Sequence, residues 1–282
     1  MPRVVPLRPG PGASGHCDWE DFRLYYELHG PPAGSPLLLT HGLLLESSCN
    51  RDLALALAAQ GYRVILLDLL GHGLSSRPRH AKWLRVDLFA EQVAACLDHL
   101  GIDKAIIGGV SLGAITSLQF AVAYPQRTQA LLLEMPVLER ATPAATLMLL
   151  PVLGAAGLGR PLLRATNALA RALPEPKRNI LRTARNAGSN PPEDIAAMIH
   201  GLIAGPTVPP RRDRMRIAVP TLIIGHGGDW LHNLEDARVL AREIPGAKFV
   251  IARSILELRL RPQRLLPKIL RFLESARASA AA

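Results

Sequence analysis

Cysteine, aromatic residues and lysine are all scarce in this sequence, and each shortage excludes something. There are three cysteines in 282 residues, Cys17, Cys49 and Cys96, with neither paired nor metal-type spacing. They offer no disulfide framework and no thiolate zinc site, and an odd, scattered set reads as a reducing, cytoplasmic setting. Aromatics make up 4% of the chain, too few for base-stacking platforms. The basic residues are 28 Arg against only 5 Lys. They are dispersed and not interleaved with aromatics, so the net charge of +10 predicts no nucleic-acid partner. Met1 to Gly10 contains no apolar stretch of signal-peptide length and reads as a mobile lead-in.

Long hydrophobic runs are scarce as well. One uncharged stretch, Ala141 to Gly159, approaches transmembrane length, but it contains Pro143, Pro151 and three glycines. A buried or pocket-lining helical pair is expected there in preference to a span, so membrane association is not expected. Insertion of this patch into a membrane surface is the minor alternative.

The chain is 49% hydrophobic and 20% charged, a globular composition, and its length fits one large domain or a core with an inserted subdomain. The first half alternates apolar runs with helical segments. Strands are expected over Phe22–Leu28, Pro36–Thr40, Arg63–Asp68, Lys104–Val110 and Thr128–Met135. Helices are expected over Asp52–Gln60, Asp87–Leu100 and Leu112–Tyr124. This rhythm predicts an α/β fold, a mostly parallel central sheet with helices on both faces. From Pro136 to Arg216 it stops, leaving Ala/Leu/Arg-rich helical patterns broken by Pro and Gly. It resumes with strands at Thr221–Gly225 and Lys248–Ala252 and helices at Leu234–Glu243 and Pro262–Glu274. The expected division is therefore a core of residues 1–135 plus 217–282, with a helical cap of residues 136–216 inserted.

The most informative stretch is Gly109-Val110-Ser111-Leu112-Gly113. An apolar run leads into it and a helical segment follows, the strand–turn–helix context of a nucleophile elbow. Such a turn aims the Ser111 Oγ away from the sheet, and the helix behind it points N–H groups at developing negative charge. A glycine-rich strand exit with an ordinary serine is the bland alternative.

Here the chain resembles the α/β-hydrolase family. His41-Gly42-Leu43 resembles its oxyanion loop, and Asp68-Leu69-Leu70-Gly71-His72-Gly73-Leu74-Ser75 its Asp-x-x-Gly-x-Gly-x-Ser loop. Val219-Pro220-Thr221-Leu222-Ile223-Ile224-Gly225, leading to Asp229, looks like the strand that presents the acid. The resemblance implies acyl transfer, and no cofactor or metal is expected. Ser111 would be the nucleophile, Asp229 the acid, and the main-chain N–H groups of Leu43 and Leu112 the oxyanion hole. The family spans esterases, lipases, thioesterases and C–C bond hydrolases, so fold alone leaves the substrate open.

One departure matters. The family places its catalytic histidine after the last strand, and the corresponding segment, Ala252 to Pro262, contains none; His232 is the last histidine in the chain. Three explanations stand. His232, three residues after Asp229, supplies the base. Alternatively, the fold is kept and hydrolysis lost, leaving a binding protein. In the third, Asp229 or Glu257 performs lyase or isomerase chemistry from an apolar pocket that raises its pKa. His226, Asp229 and His232 have a superficially metal-like spacing without the further ligands a zinc site needs. His41 is expected to support the oxyanion turn, His72 to satisfy loop backbone groups, and Cys49 to be a small buried residue. His200 has no assigned role.

The expected substrate is a small hydrophobic acyl compound, an ester or thioester. Leu147, Met148, Leu149, Leu150, Val152, Leu153, Leu162 and Leu163 offer an apolar lid, as do Ile195, Met198 and Leu202. Residues 136–216 carry twelve Lys/Arg against five Asp/Glu, and residues 253–277 seven against two. That excess suits an anionic handle on the substrate, or is simply a solvated basic face.

Overall fold

Leu37–Leu39, Val64–Leu67 and Leu131–Leu133 are apolar at every position, as strands covered on both faces must be. In the computed structural model, which describes residues 12–228 and 232–281, they lie inside an eight-stranded sheet. The strands are β1 (Ala13–Trp19), β2 (Phe22–His29), β3 (Ser35–Thr40), β4 (Tyr62–Leu67), β5 (Ala105–Val110), β6 (Thr128–Glu134), β7 (Thr221–His226) and β8 (Lys248–Ala252). Their spatial order is β1-β2-β4-β3-β5-β6-β7-β8. β2 is antiparallel to both β1 and β4, and every pairing from β4 onward is parallel.

Eleven helices accompany the sheet among the described residues. They are α1 (Ser48–Ala58), α2 (Val86–His99), α3 (Leu112–Ala123), α4 (Ala141–Leu158), α5 (Arg160–Ala172), α6 (Asn179–Ala187), α7 (Pro192–Ala204), α8 (Arg211–Arg214), α9 (Leu234–Glu243), α10 (Glu257–Leu260) and α11 (Leu266–Ala281). Successive strand residues point to opposite faces, and the two cores follow that alternation. Leu38, Ile65, Leu67, Ile107, Leu131 and Ile223 face one cluster with Phe89, Val93 and Leu97 of α2, Leu118 of α3 and Leu240 of α9. Leu37, Leu39, Val64, Leu66, Ile106 and Leu222 face the other, with Leu53 and Leu57 of α1 and Ile269, Phe272 and Leu273 of α11.

The strands expected from Phe22 onward appear within a residue or two of their expected ends. β1 is an addition. Only Cys17 and Trp19 of its seven residues are buried, so this edge strand lacks the apolar run that reveals the others. Met1 to Gly10, the expected lead-in, lies outside the described residues. The run from Ala141 forms one helix and not a pair, since α4 continues through Pro151. Among the described residues no helix is long and apolar enough to cross a membrane.

Helices α4 to α8 join β6 to β7, and both ends of this excursion are tied to α9 by buried charges. Asp236 of α9 accepts the N–H groups of Leu138 and Ala141 at 2.9 Å each and of Arg140 at 3.3 Å, anchoring the start of α4. Arg214 of α8, 1% exposed, donates to Glu243 of α9 at 2.7 Å, to Glu139 at 2.7 Å and to the Pro209 carbonyl at 2.8 Å. A buried guanidinium is tolerated when such acceptors surround it.

Candidate active site

Thr40, at the end of β3, explains the glycines around Ser111. A Cβ on Gly113 would lie 2.4 Å from the Thr40 carbonyl oxygen, and one on Gly109 would lie 2.7 Å from it. Only glycine admits this approach. Between them the chain turns from β5 into α3 with Ser111 at φ 55° and ψ −109°, a strained conformation for a residue with a side chain. The Ser111 N–H donates to the Glu134 carbonyl at 2.9 Å, and the Ser111 carbonyl accepts from Ala114 N–H at 2.9 Å. Ser111 is therefore fixed to β6 on one side and to α3 on the other.

His232 follows β7 and stands just before Asn233, whose side chain accepts the Glu235 N–H at 2.9 Å and caps α9. Its Nε2 lies 2.9 Å from Ser111 Oγ. With Nε2 accepting the hydroxyl proton, the ring carries its own proton on Nδ1. The structure thus brings together Ser111 and His232. Asp229 lies outside the described residues. Leu112 opens α3, where the first N–H groups have no acceptor within the helix. Leu43 is half-buried in the loop between β3 and α1.

That loop is held from several sides. His41 Nδ1 meets the Gly42 carbonyl at 2.9 Å, and its Nε2 accepts the Leu69 N–H at 3.0 Å. Burial pushes the His41 pKa down, against the pull of the Asp68 charge. Asp68 accepts Ser47 N–H at 2.7 Å, Ser47 Oγ at 2.5 Å and Leu74 N–H at 2.9 Å. Asp68 thereby locks the loop after β4 onto the loop after β3. His72 lies against His41, with ring centroids 4.6 Å apart and planes tilted by 48°, and meets the Leu70 carbonyl at 3.1 Å. Leu44 takes φ 62°, and its carbonyl accepts from Asn190 Nδ2 at 2.9 Å.

A buried charge cluster beneath the site escaped sequence reasoning. Glu134, at the end of β6, meets His226 Nε2 of β7 at 3.1 Å and pairs with Arg259 of α10. His226 Nδ1 faces the Ser254 carbonyl at 2.8 Å. Burial would raise the Glu134 pKa, but the Arg259 charge and the His226 hydrogen bond outweigh it and hold the carboxyl at about 2. No motif could have revealed this, because the partners lie 92 and 125 residues from Glu134.

Other sequence candidates find different settings. Glu257 accepts from Arg264 at 2.7 Å on both carboxylate oxygens and from the Arg253 N–H. The Arg264 hydrogen bond leads in lowering its pKa, opposite to the raised carboxylate that lyase or isomerase chemistry requires. Burial pushes the Cys49 thiol up to about 12, so it stays unreactive. Among the described residues, no group of three or more His, Cys, Asp or Glu could hold a metal ion. Leu149, Val152 and Leu163 pack with Ile195, Ile199 and Leu44. Leu147, Leu150 and Leu162 are 68%, 50% and 71% exposed. The side chains of Met148 and Leu153 lie outside the described residues.

The family model described as alpha/beta hydrolase fold matches residues 35–254. The chain belongs to this family. The curated relatives that it resembles match it only in part, over less than half of either partner. The 2-hydroxymuconate semialdehyde hydrolase of Pseudomonas sp. (strain CF600) is 35% identical over 108 residues, 38% of each chain. A hydrolase from Pseudomonas aeruginosa PA01 superposes with a TM-score of 0.73 at 26% identity, covering 94% of this chain and 99% of that one. An enol-lactonase from Burkholderia xenovorans LB400 reaches 0.75 at 21% identity over 92% and 100% of the two chains, and shares the fold.

Proposed function

We propose that the protein is a serine hydrolase that cleaves or transfers an acyl group from a hydrophobic ester or thioester. The observation that carries this reading is the 2.9 Å approach of His232 Nε2 to Ser111 Oγ, at a turn whose strain exposes the hydroxyl at the head of α3. His232 takes the proton as Ser111 Oγ attacks the carbonyl carbon. The oxyanion forms against the N–H groups of Leu43 and Leu112, each such donor being worth about 10²–10³-fold in rate. Collapse expels the alcohol or thiol, protonated by His232, and water then releases the acyl group by the same steps reversed in role. Asp229, three residues before His232, orients the imidazole and stabilises its charged form. Two leucines suit the oxyanion positions because the donors are main-chain groups.

Fluorophosphonate labelling tests the assignment. Wild-type protein should be labelled and Ser111→Ala should not; a folded wild-type protein that resists labelling overturns it. A panel of acyl esters and thioesters of increasing chain length then reads the substrate class, with longer apolar acyl groups expected to give the higher kcat/KM.

A further inference from the structure

A cavity of about 360 Å³ lies between the loops after β3 and β4 on one side and the ends of α5, α6 and α7 on the other. Neither Ser111 nor His232 lines it. Its volume falls within the range of small-molecule sites. The walls divide by chemistry: Leu44, Leu45 and Leu74 are apolar, while Arg77, Arg171 and Arg185 are cationic. Arg77 is neutralised by Asp194 at 2.9 Å. The other two arginines meet only neutral oxygens among the described residues. Arg171 donates to the Ser189 carbonyl at 2.9 Å. Arg185 donates to the Leu173 carbonyl at 3.1 Å, the Asn186 Oδ1 at 3.1 Å and the Arg171 carbonyl at 2.9 Å.

These bonds fix the guanidinium groups without cancelling their charge. A positioned, weakly hydrated guanidinium is well suited to carboxylate or phosphate. One carboxylate opposes them: Glu46 lines the cavity and accepts from Ser48 Oγ and, at 3.1 Å, from Asn186 Nδ2. With Arg77 paired, two guanidinium groups still outweigh it. We infer that this cavity binds a small amphiphile, its carboxylate or phosphate monoester end on Arg171 and Arg185 and its short apolar body against Leu44, Leu45 and Leu74. The basic excess of residues 136–216 thereby acquires a concave focus, where low-dielectric walls strengthen attraction for anions.

Calorimetric titration of the protein with hexyl phosphate, hexanoate and the neutral alcohol hexanol, which keeps the alkyl chain without the anion, tests the site. The two anions should bind and hexanol should not, and rising salt should weaken binding. The tighter of the two anions identifies the end group. Arg171→Gln combined with Arg185→Gln should weaken binding about tenfold or more. Glu46→Gln should tighten it, a change of opposite sign that a damaged fold cannot imitate. Ser111→Ala should leave it unchanged. Equal binding of hexanol, or affinity indifferent to both arginines, overturns the proposal. So does binding lost in Ser111→Ala, which would place the anion at the serine.

Discussion

His232 presents Nε2 to Ser111 Oγ at 2.9 Å across 121 residues of chain. After β8, where the resemblance leads one to expect a histidine, Glu257 is held by Arg264 and Arg259 by Glu134. His232, on the β7–α9 loop, reaches Ser111 from the strand end two places along the sheet. If His232 is the proton acceptor, His232→Ala lowers the fluorophosphonate labelling rate by about 10²–10⁴-fold, the usual worth of a positioned general base. Labelling at the wild-type rate would remove His232 from the mechanism while leaving Ser111 in place.

Arg214 is the closure of the helical excursion between β6 and β7. Its guanidinium bridges Glu243 of α9 and Glu139, which precedes α4. Arg214→Ala removes the buried partner of Glu243, itself buried, and leaves it the more exposed Arg211 at 3.1 Å; the change should cost up to about 3–5 kcal/mol. Urea unfolding monitored by circular dichroism reads this as a lower midpoint. The change should exceed that from Arg212→Ala, whose side chain is 80% exposed and whose pairing is worth about 0–1 kcal/mol. Equal midpoints for the two variants would show that Arg214 does not hold the fold.

The parallel sheet was legible because doubly covered strands are apolar throughout and bounded by turn residues, and the elbow because Gly109 and Gly113 answer a local steric demand from Thr40. β1 was not, since a strand with two buried residues carries almost no pattern. The orientation of α4 was hidden for the opposite reason. It is apolar on every side, so nothing in its periodicity told Leu149, which packs inward, from Leu147 and Leu150, which face solvent. The Glu134–His226–Arg259 cluster depends on which strand ends become neighbours, and that is a property of the topology and not of any local segment.

The steric reading of Gly113 gives a paired prediction of opposite signs. Gly113→Ala forces a methyl group against the Thr40 carbonyl and Oγ1, at 2.4 and 2.7 Å. It should destabilise the protein by about 1–3 kcal/mol and abolish Ser111 labelling by displacing the turn. Gly154, in α4, has no atom of the described residues within 4 Å of the position that an alanine methyl group would take, its chain neighbours and own helix backbone apart. There, Gly154→Ala should stabilise by about 1 kcal/mol, because alanine is the better helix former. Thermal melts of both variants check the pair. A Gly113→Ala protein that melts and labels like wild type would contradict the close approach of α3 to β3.

Glu134 supplies the pH dependence. Its carboxyl is held at about 2 in the folded protein against an ordinary 4.5. As acid is added the unfolded chain takes up this proton first, so stability falls as pH drops. The contribution is fully present above about pH 4.5 and is lost as pH falls through about 2. Glu27 behaves the same way: burial opposes, but hydrogen bonds from His29 and Arg51 lower it to about 2, so the acid slope of the wild type contains both groups. Glu134→Gln removes one of them. The variant should be less stable at neutral pH, because Arg259 is left buried beside a neutral amide. Its stability should also fall less steeply between about pH 4.5 and 2. Urea midpoints measured across that range separate the two effects, and parallel curves for wild type and variant would show that Glu134 is not held ionised by Arg259 and His226.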